Sequence, residues 1–478
     1  MTRARLLLAA AALAAVGVGS PAWSTPPACN PSSTGDRCPT SQFDYETETA
    51  IPSAAAVDHT RQIAVAAGQD QRRATAVAFD AKTSRQRWVQ QLPVPGATSD
   101  TVLLDVAVHE RTGRTFFGGY GFVDNQRTVA TVHAVDTATG RLLWTAAEPV
   151  GVNFIDNVTR VQPSPDGKIV YALGERSIPS SDGGQHYAWR VTAHDAATGQ
   201  IRWSWTLGGV VQALVNDAAL SADGTTLLVT GYVYTEQDHW QVTALDTGRG
   251  TPRWTYRSRP HSTYSVLAVD STRGLVAIVA NRQDNAEPGR IESSVRRLAT
   301  GRVVWTTDLT TPSAWTLVND VTFLGNRVVV AGYTVAADAP LLPVQDRETR
   351  PVVAAFGPQG GLLWRRSPPA PAGSATATGL TNSGGRLFAY GEQDDRALVQ
   401  PTSPSGSAIV WRIDDTTGQT TWTGTTRGIG DGPHADLGER VVGAVPDGDG
   451  VLVLVRHADP DTTGVGSPHS YLFQHWAT

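Results

Sequence analysis

One unit recurs along this chain and constrains what it can fold into. The stretch Ala134–Trp144, AVDTATGRLLW, is one copy of a pattern that returns seven times and always ends in tryptophan. The seven are Trp88, Trp144, Trp203, Trp254, Trp305, Trp364 and Trp422, spaced 56, 59, 51, 51, 59 and 58 residues apart. A near-constant period of this size belongs to stacked supersecondary units, so the length of 478 residues does not argue for several separate domains. The fourth residue before each tryptophan is glycine in six copies (Gly140, Gly199, Gly250, Gly301, Gly360, Gly418) and Ser84 in the other. The eighth is aspartate in five: Asp80, Asp136, Asp195, Asp246 and Asp414.

This is the grammar of a turn. An apolar strand such as TVHAV (131–135) runs into an aspartate whose side chain can hold the following backbone, a glycine takes a positive φ, and a second strand such as RLLW leaves. Four β-like runs recur in each period, as in LLDVAV, RTFFGG, TVATVHAV and RLLWTA between 103 and 146. We call them the inner, second, third and outer strands. No segment carries sustained helical periodicity. The expectation is an all-β chain, a β-propeller of four-stranded antiparallel blades around a channel. Each tryptophan, on an outer strand, should bury its ring against the next blade and remove on the order of 150–250 Å² from water.

After Trp422 three further runs lack an outer partner: GERVVGAV (438–445), GVLVLVR (450–456) and SYLFQHW (470–476). FDYETET (43–49) precedes the first inner strand, SAAAV (53–57), and is the candidate to pair with SYLFQHW. That pairing gives eight blades and removes exposed edges. The alternative is seven blades plus an appended hairpin.

The units resemble the tryptophan-docking repeats of quinoprotein-type β-propellers, a group that includes bacterial quinoprotein dehydrogenases and an outer-membrane assembly lipoprotein. The resemblance covers residues 43–476. It implies the architecture, whereas activity must be argued from a site, because enzymes and non-enzymes share this packing device. The dehydrogenases imply bound pyrroloquinoline quinone, and the sequence argues against it. Their adjacent cysteine pair is absent, as is any C-x-x-C-H haem motif. We therefore expect a non-dehydrogenase member and no resident cofactor.

At the amino terminus, Arg3 and Arg5 precede the apolar run Leu6–Val18 and the small-x-small site Ala22-Trp23-Ser24. Residues 1–24 read as a secretory signal peptide, the run being shorter than the ~20 residues a membrane span needs. The expectation is a secreted, extracellular protein with no membrane span. Cys29 and Cys38, the two cysteines, lie in the segment 25–42 ahead of the propeller, where an oxidising compartment favours a disulfide between them. The net charge is −5, and loss of Arg3 and Arg5 makes the mature chain more acidic still, which disfavours nucleic acid as a partner.

Inner–second and third–outer turns are short, whereas second–third loops such as GERSIPSSDGGQHY and GYTVAADAPLLPVQDRETR are long and polar. Binding residues concentrate on such loops above a rigid scaffold. On that face Asp105, Asp156, Asp217 and Asp320 each lie near the start of an inner strand, with Asn216 and Asn319 beside two of them. One reading is a ring at the channel mouth that could hold a cation such as calcium, at Asp156 and Asp217, or a polar ligand. The other, which we favour, is that each aspartate accepts backbone N–H bonds from the next blade. Tyr120, Tyr232 and Tyr333, each following a glycine at the end of a second strand, could rim the same opening or pack on neighbouring loops. Arg176, Arg282, His239, His261, Tyr264, Trp315 and His434 fall on the same face and could meet an acidic or sugar-like partner. No G-x-S-x-G or H-E-x-x-H occurs. The sequence reads as a binding scaffold for a protein or extracellular glycan, with an extracellular lyase or hydrolase acting through paired carboxylates on a carbohydrate or other polar small molecule as the alternative.

Overall fold

The computed structural model describes residues 36–37, 41–47, 51–83, 85–124, 127–148, 156–178, 186–260, 262–282, 290–310, 314–336, 348–370, 374–394, 406–425, 438–447, 450–458 and 469–476. The signal-peptide segment, Cys29, Cys38, His261 and His434 lie outside them. Among the described residues every regular element is a strand, and the strands form eight sheets, one per blade. Blade 2 shows the pattern: Thr101–His109, Arg114–Phe122, Thr128–Asp136 and Leu142–Ala147 run inner to outer with each neighbour antiparallel.

The ring closes as the sequence predicts. Blade 8 takes Gly438–Asp447, Gly450–Ala458 and His469–Trp476 from the end of the chain and its outer strand, Ser41–Thr47, from the beginning. Phe43 pairs with Phe473 and Tyr45 with Tyr471, antiparallel. A short strand not foreseen from the sequence, Asp36–Arg37, lies parallel to Thr420–Thr425 and adds a fifth strand to the outer edge of blade 7.

Among the described residues the apolar core is divided between blades and not gathered at the centre. Eight apolar clusters occupy the eight seams between successive blades. The seam between blades 1 and 2, for example, packs Ile63, Val65, Ala78 and Trp88 against Leu103, Val106, Phe117 and Val135. Because a blade is covered on both faces, its middle strands read as near-continuous apolar runs, as in Arg73–Asp80, where six consecutive residues are buried.

The tryptophans make those seams specific. Trp88 lies over Gly140, Trp144 over Gly199, Trp203 over Gly250, Trp254 over Gly301, Trp305 over Gly360 and Trp364 over Gly418. A Cβ on Gly250 would come within 2.4 Å of the Trp203 ring. Each of these glycines also has positive φ, between 67° and 82°, so the residue serves turn and docking together. The indole N–H then donates to a carbonyl in the same turn: Trp88 to Thr137 (3.0 Å), Trp144 to Ala196 (3.1 Å) and Trp203 to Thr247 (2.8 Å). The aspartates behave as predicted, Asp195 accepting from the amides of Ala197 (2.9 Å) and Thr198 (3.0 Å). Arg202, together with those amides, pulls the Asp195 carboxyl down to about 2.

Candidate functional site

The inner strands carry the expected carboxylates, and a bulge in each places them. The register shifts between Leu103 and Asp105, between Val215 and Asp217, and between Val318 and Asp320. A glycine on the second strand faces each bulge: a Cβ on Gly119, Gly231 or Gly332 would sit 2.0, 2.1 or 1.9 Å from the carbonyl oxygen of Val102, Leu214 or Leu317. Only glycine lets the bulged carbonyl press onto the second strand.

With the strand kinked, each aspartate reaches across its seam. The Val161 amide donates to Asp105 Oδ2 (2.7 Å), Leu267 to Asp217 Oδ2 (2.9 Å) and Leu380 to Asp320 Oδ2 (2.8 Å). The remaining oxygen of two of them is also engaged, Ala218 donating to Asp217 Oδ1 (2.8 Å) and Val321 to Asp320 Oδ1 (2.7 Å). Asn216 and Asn319 sit in the bulges and bond the same neighbours, Asn216 Oδ1 accepting from the Ser265 amide (3.4 Å) and Asn319 Nδ2 donating to the Ala377 carbonyl (2.8 Å). These side chains tie blades 2 to 3, 4 to 5 and 6 to 7. The intervening seams use second-strand residues that the sequence reading did not single out. Glu175 Oε1 accepts from Val215 (2.7 Å) and Asn281 Oδ1 from Val318 (2.7 Å), tying blades 3 to 4 and 5 to 6.

Close packing raises the carboxyl pKa values. Burial pushes Asp105 up to about 6 against the pull of Arg160 and the Val161 amide, and Asp320 up to about 7 against the Leu380 amide, with Asp217 adding to the rise. Asp217 is raised by burial as well, opposed by the Leu267 amide and then Arg160. Around the channel the position of these aspartates is taken in blade 3 by Arg160, which is exposed and donates to the Asn216 carbonyl (3.2 Å). In blade 7 it is Gly379, whose missing Cβ leaves room for the Tyr390 ring.

Asp156 does not join them. It lies ahead of the blade 3 inner strand, 3% exposed, and its Oδ1 accepts from the Ser177 amide (2.8 Å) and hydroxyl (3.2 Å). Glu148, Glu175, Arg176 and Arg190 surround the same place, with Arg190 paired to Glu148. Burial pushes the Glu148 carboxyl up to about 7, eased by Thr192 and Arg176 and reinforced by Asp156. The void they enclose is about 10 Å³, room for one water and not for a sugar. Asp156 and Asp217 thus lie in different settings, one in this polar void and one at the seam of blades 4 and 5. Among the described residues no group of three or more His, Cys, Asp or Glu side chains is arranged to hold a metal ion.

The tyrosines engage their own surroundings. Tyr232 donates to Asp238 on its own hairpin (2.5 Å), and Tyr120 meets Phe122 edge to face at 5.6 Å. Tyr333 is half-buried on the second strand of blade 6. Tyr264 faces Asp217, Arg160 and Asp320, and burial and Asp217 raise its pKa. His239 bonds the Ser258 carbonyl through Nδ1 (3.0 Å), and Arg176 borders the polar void. Trp315 is the second residue of the inner strand of blade 6, Ala314–Leu324, and Arg282 ends the second strand of blade 5. Most of the long second–third loops fall outside the described residues.

Comparison with known proteins agrees with this architecture. No curated protein matches the chain significantly. Among solved structures, quinohemoprotein alcohol dehydrogenase from Comamonas testosteroni is similar over 91% of this chain and 76% of its own, at 14% identity and a TM-score of 0.51. The Dos1 propeller aligns over 91% and 94% at 10% identity with a TM-score of 0.53. Sqt1 from Chaetomium thermophilum aligns over 93% and 100% at 12% identity, also at 0.53. At such identities the likeness concerns the fold. A family model described as outer membrane protein assembly factor BamB matches residues 128–337 and 289–459, more than half of the chain. With its quinoprotein-type repeats and closed ring of tryptophan-docked blades, the chain belongs to that family.

Proposed function

We propose that this protein is an exported propeller scaffold that binds a protein partner through the loops between its second and third strands. The observation that carries the reading is the use made of the channel-mouth carboxylates. Asp105, Asp217 and Asp320 accept backbone amides of the neighbouring blade at 2.7–2.9 Å and so act as seam ties. Their acceptor capacity is directed into the fold, and the long polar loops are left as the recognition surface. The family description, an assembly factor for outer membrane proteins, supports a protein partner over an extracellular glycan. Export rests on the signal-peptide pattern of residues 1–24.

The channel mouth suits an anionic quinone poorly. Pyrroloquinoline quinone is a tricarboxylate, and the inner-strand position at the mouth offers Asp105, Asp217 and Asp320 against the single cation Arg160. A paired-carboxylate hydrolase or lyase at Asp156 would need room for substrate beside it, and the void there accommodates a single water.

The test is cross-linking and mass spectrometry of the mature protein in its native extract, repeated with residues 337–347 and 395–405 replaced by Gly-Ser linkers. Loss of one protein partner with retention of the folded propeller is the expected result. Native mass spectrometry with metal analysis runs alongside. A stoichiometric metal ion or small molecule, lost in Asp217→Ala protein that remains folded, would overturn the scaffold reading in favour of a ligand site in the channel.

A further inference from the structure

A second cavity lies away from the channel, in the side of the ring where blade 4 meets blade 5. It is an open groove of about 540 Å³ lined by Tyr256 and Arg259 from blade 4 and by Arg282, Glu292, Arg296, Thr306, Thr307 and Asp308 from blade 5, among others. That volume is within the ordinary range for small-molecule sites.

Its charges are arranged against local stability. Arg282 stands directly opposite Arg290 across one strand pair, and Glu292 directly opposite Asp308 across the next. Like charges facing each other on a sheet are destabilising. Arg290 partly compensates Asp308 at 3.5 Å, so cations exceed carboxylates in the remainder of the groove although the whole chain carries −5. Arg296 is the singular member. It is only 5% exposed, sits over Tyr256 with its guanidinium carbon 3.4 Å from the ring centroid, and donates through Nη1 to the Gly301 carbonyl (3.0 Å). Its Nε has no hydrogen-bond partner. A buried, unpartnered guanidinium N–H costs free energy unless something fills its place.

We propose that this groove binds a small oxyanion, a carboxylate or phosphate group carried on a hydroxyl-bearing molecule of sugar size. The exposed Arg259 holds the anion with the Arg296 guanidinium beside it, Tyr256 holds Arg296 in place, and Thr306 and Thr307 meet the hydroxyls. Glu292 is the built-in competitor: burial and Asp308 raise its pKa while Arg282, Arg259 and Arg296 lower it, so it is neutralised more readily than an ordinary glutamate. The site is independent of the long-loop face and stands whether or not a protein partner binds there.

The experiment is isothermal titration of the mature protein with three probes: inorganic phosphate, galacturonate and galactose. Saturable binding of phosphate or galacturonate that weakens with added salt is expected, and whichever binds identifies the anion carried by the ligand. Charge-assisted hydrogen bonds of this kind predict that Arg296→Lys or Arg259→Gln weakens binding about tenfold or more. Glu292→Gln, which removes the competing carboxylate and leaves the fold intact, is expected to tighten it by about threefold or more. The proposal is overturned if neither anion saturates below about 10 mM, where binding would be worth only a few kcal/mol. Equal binding of galactose, or unchanged affinity in both Arg259→Gln and Glu292→Gln, overturns it as well.

Discussion

Replacing Gly250 by alanine isolates the free energy of one docked tryptophan. Gly250 has a φ of 68° and lies beneath Trp203. Alanine there first incurs the left-handed backbone penalty, about 1 kcal/mol. Its Cβ would then meet Trp203 Cε3 at 2.4 Å, where carbon atoms prefer about 3.5–4 Å. The indole must retreat by more than an ångström, which breaks the 2.8 Å bond from its N–H to the Thr247 carbonyl. Loss of that bond adds about 1 kcal/mol, and the displaced packing adds about 1 kcal/mol more. Gly274 supplies the control. Its φ is 62° and nothing lies within 4 Å of where its Cβ would be, so alanine there meets only the backbone penalty. Urea unfolding followed by tryptophan fluorescence should give a loss of about 3 kcal/mol for Gly250→Ala and about 1 kcal/mol for Gly274→Ala, provided the slopes match. Equal losses would refute the claim that the ring and the glycine form one device.

Stability should also depend on pH in a defined window. Asp320 is near 7 and Asp105 near 6 in the folded protein, whereas an unfolded aspartate titrates near about 3.9. Folding therefore takes up protons between those values. The stabilisation is complete below about pH 4 and is lost as pH rises through the folded pKa values. The urea midpoint should fall from pH 5 to pH 8, and Asp320→Asn should flatten that slope; a wild-type profile that is flat or rises would refute the assignment. Asp195, held near 2, acts with the opposite sign and only at lower pH. Tyr45→Pro, in the strand that pairs Tyr45 with Tyr471, should raise hydrogen exchange in 450–458 and 469–476 first, and unchanged protection there would show that closure does not depend on this strand.

The repeat was legible because each of its marks has a single physical cause: aspartate for the turn, glycine for the positive φ, tryptophan for the seam. Even its exception can be read. Ser84 replaces glycine in blade 1, the blade that follows blade 8 in the ring, and the outer strand of blade 8, Ser41–Thr47, has no tryptophan to dock. The inner strands were harder. FIDNV resembles LLDVAV, yet Arg160, four residues beyond Asp156, takes the place of Asp105. A one-residue bulge exchanges the faces of a strand, and the sign of a bulge lay on another strand, in Gly119, Gly174, Gly231, Gly332 and Gly391. The groove of Arg296 had no sequence signature. Tyr256 and Arg259 belong to one repeat and Arg296 to the next, and their meeting depends on how two blades splay.

The closing pair has a consequence for how the chain is made. Ser41–Thr47 is synthesised before any blade is complete, and its partner, His469–Trp476, emerges only after the seven other blades. Seven blades can assemble in order from contacts close in sequence, while Ser41–Thr47 waits as an open β-edge. Closure thus joins strands from opposite ends of the ring's sequence and seals the seam of blades 8 and 1, contacts of large sequence separation that are slow to form and exposed to wrong partners until they do. Asp36–Arg37, just ahead of that strand in the chain, pairs with the outer strand of blade 7, the neighbour of blade 8.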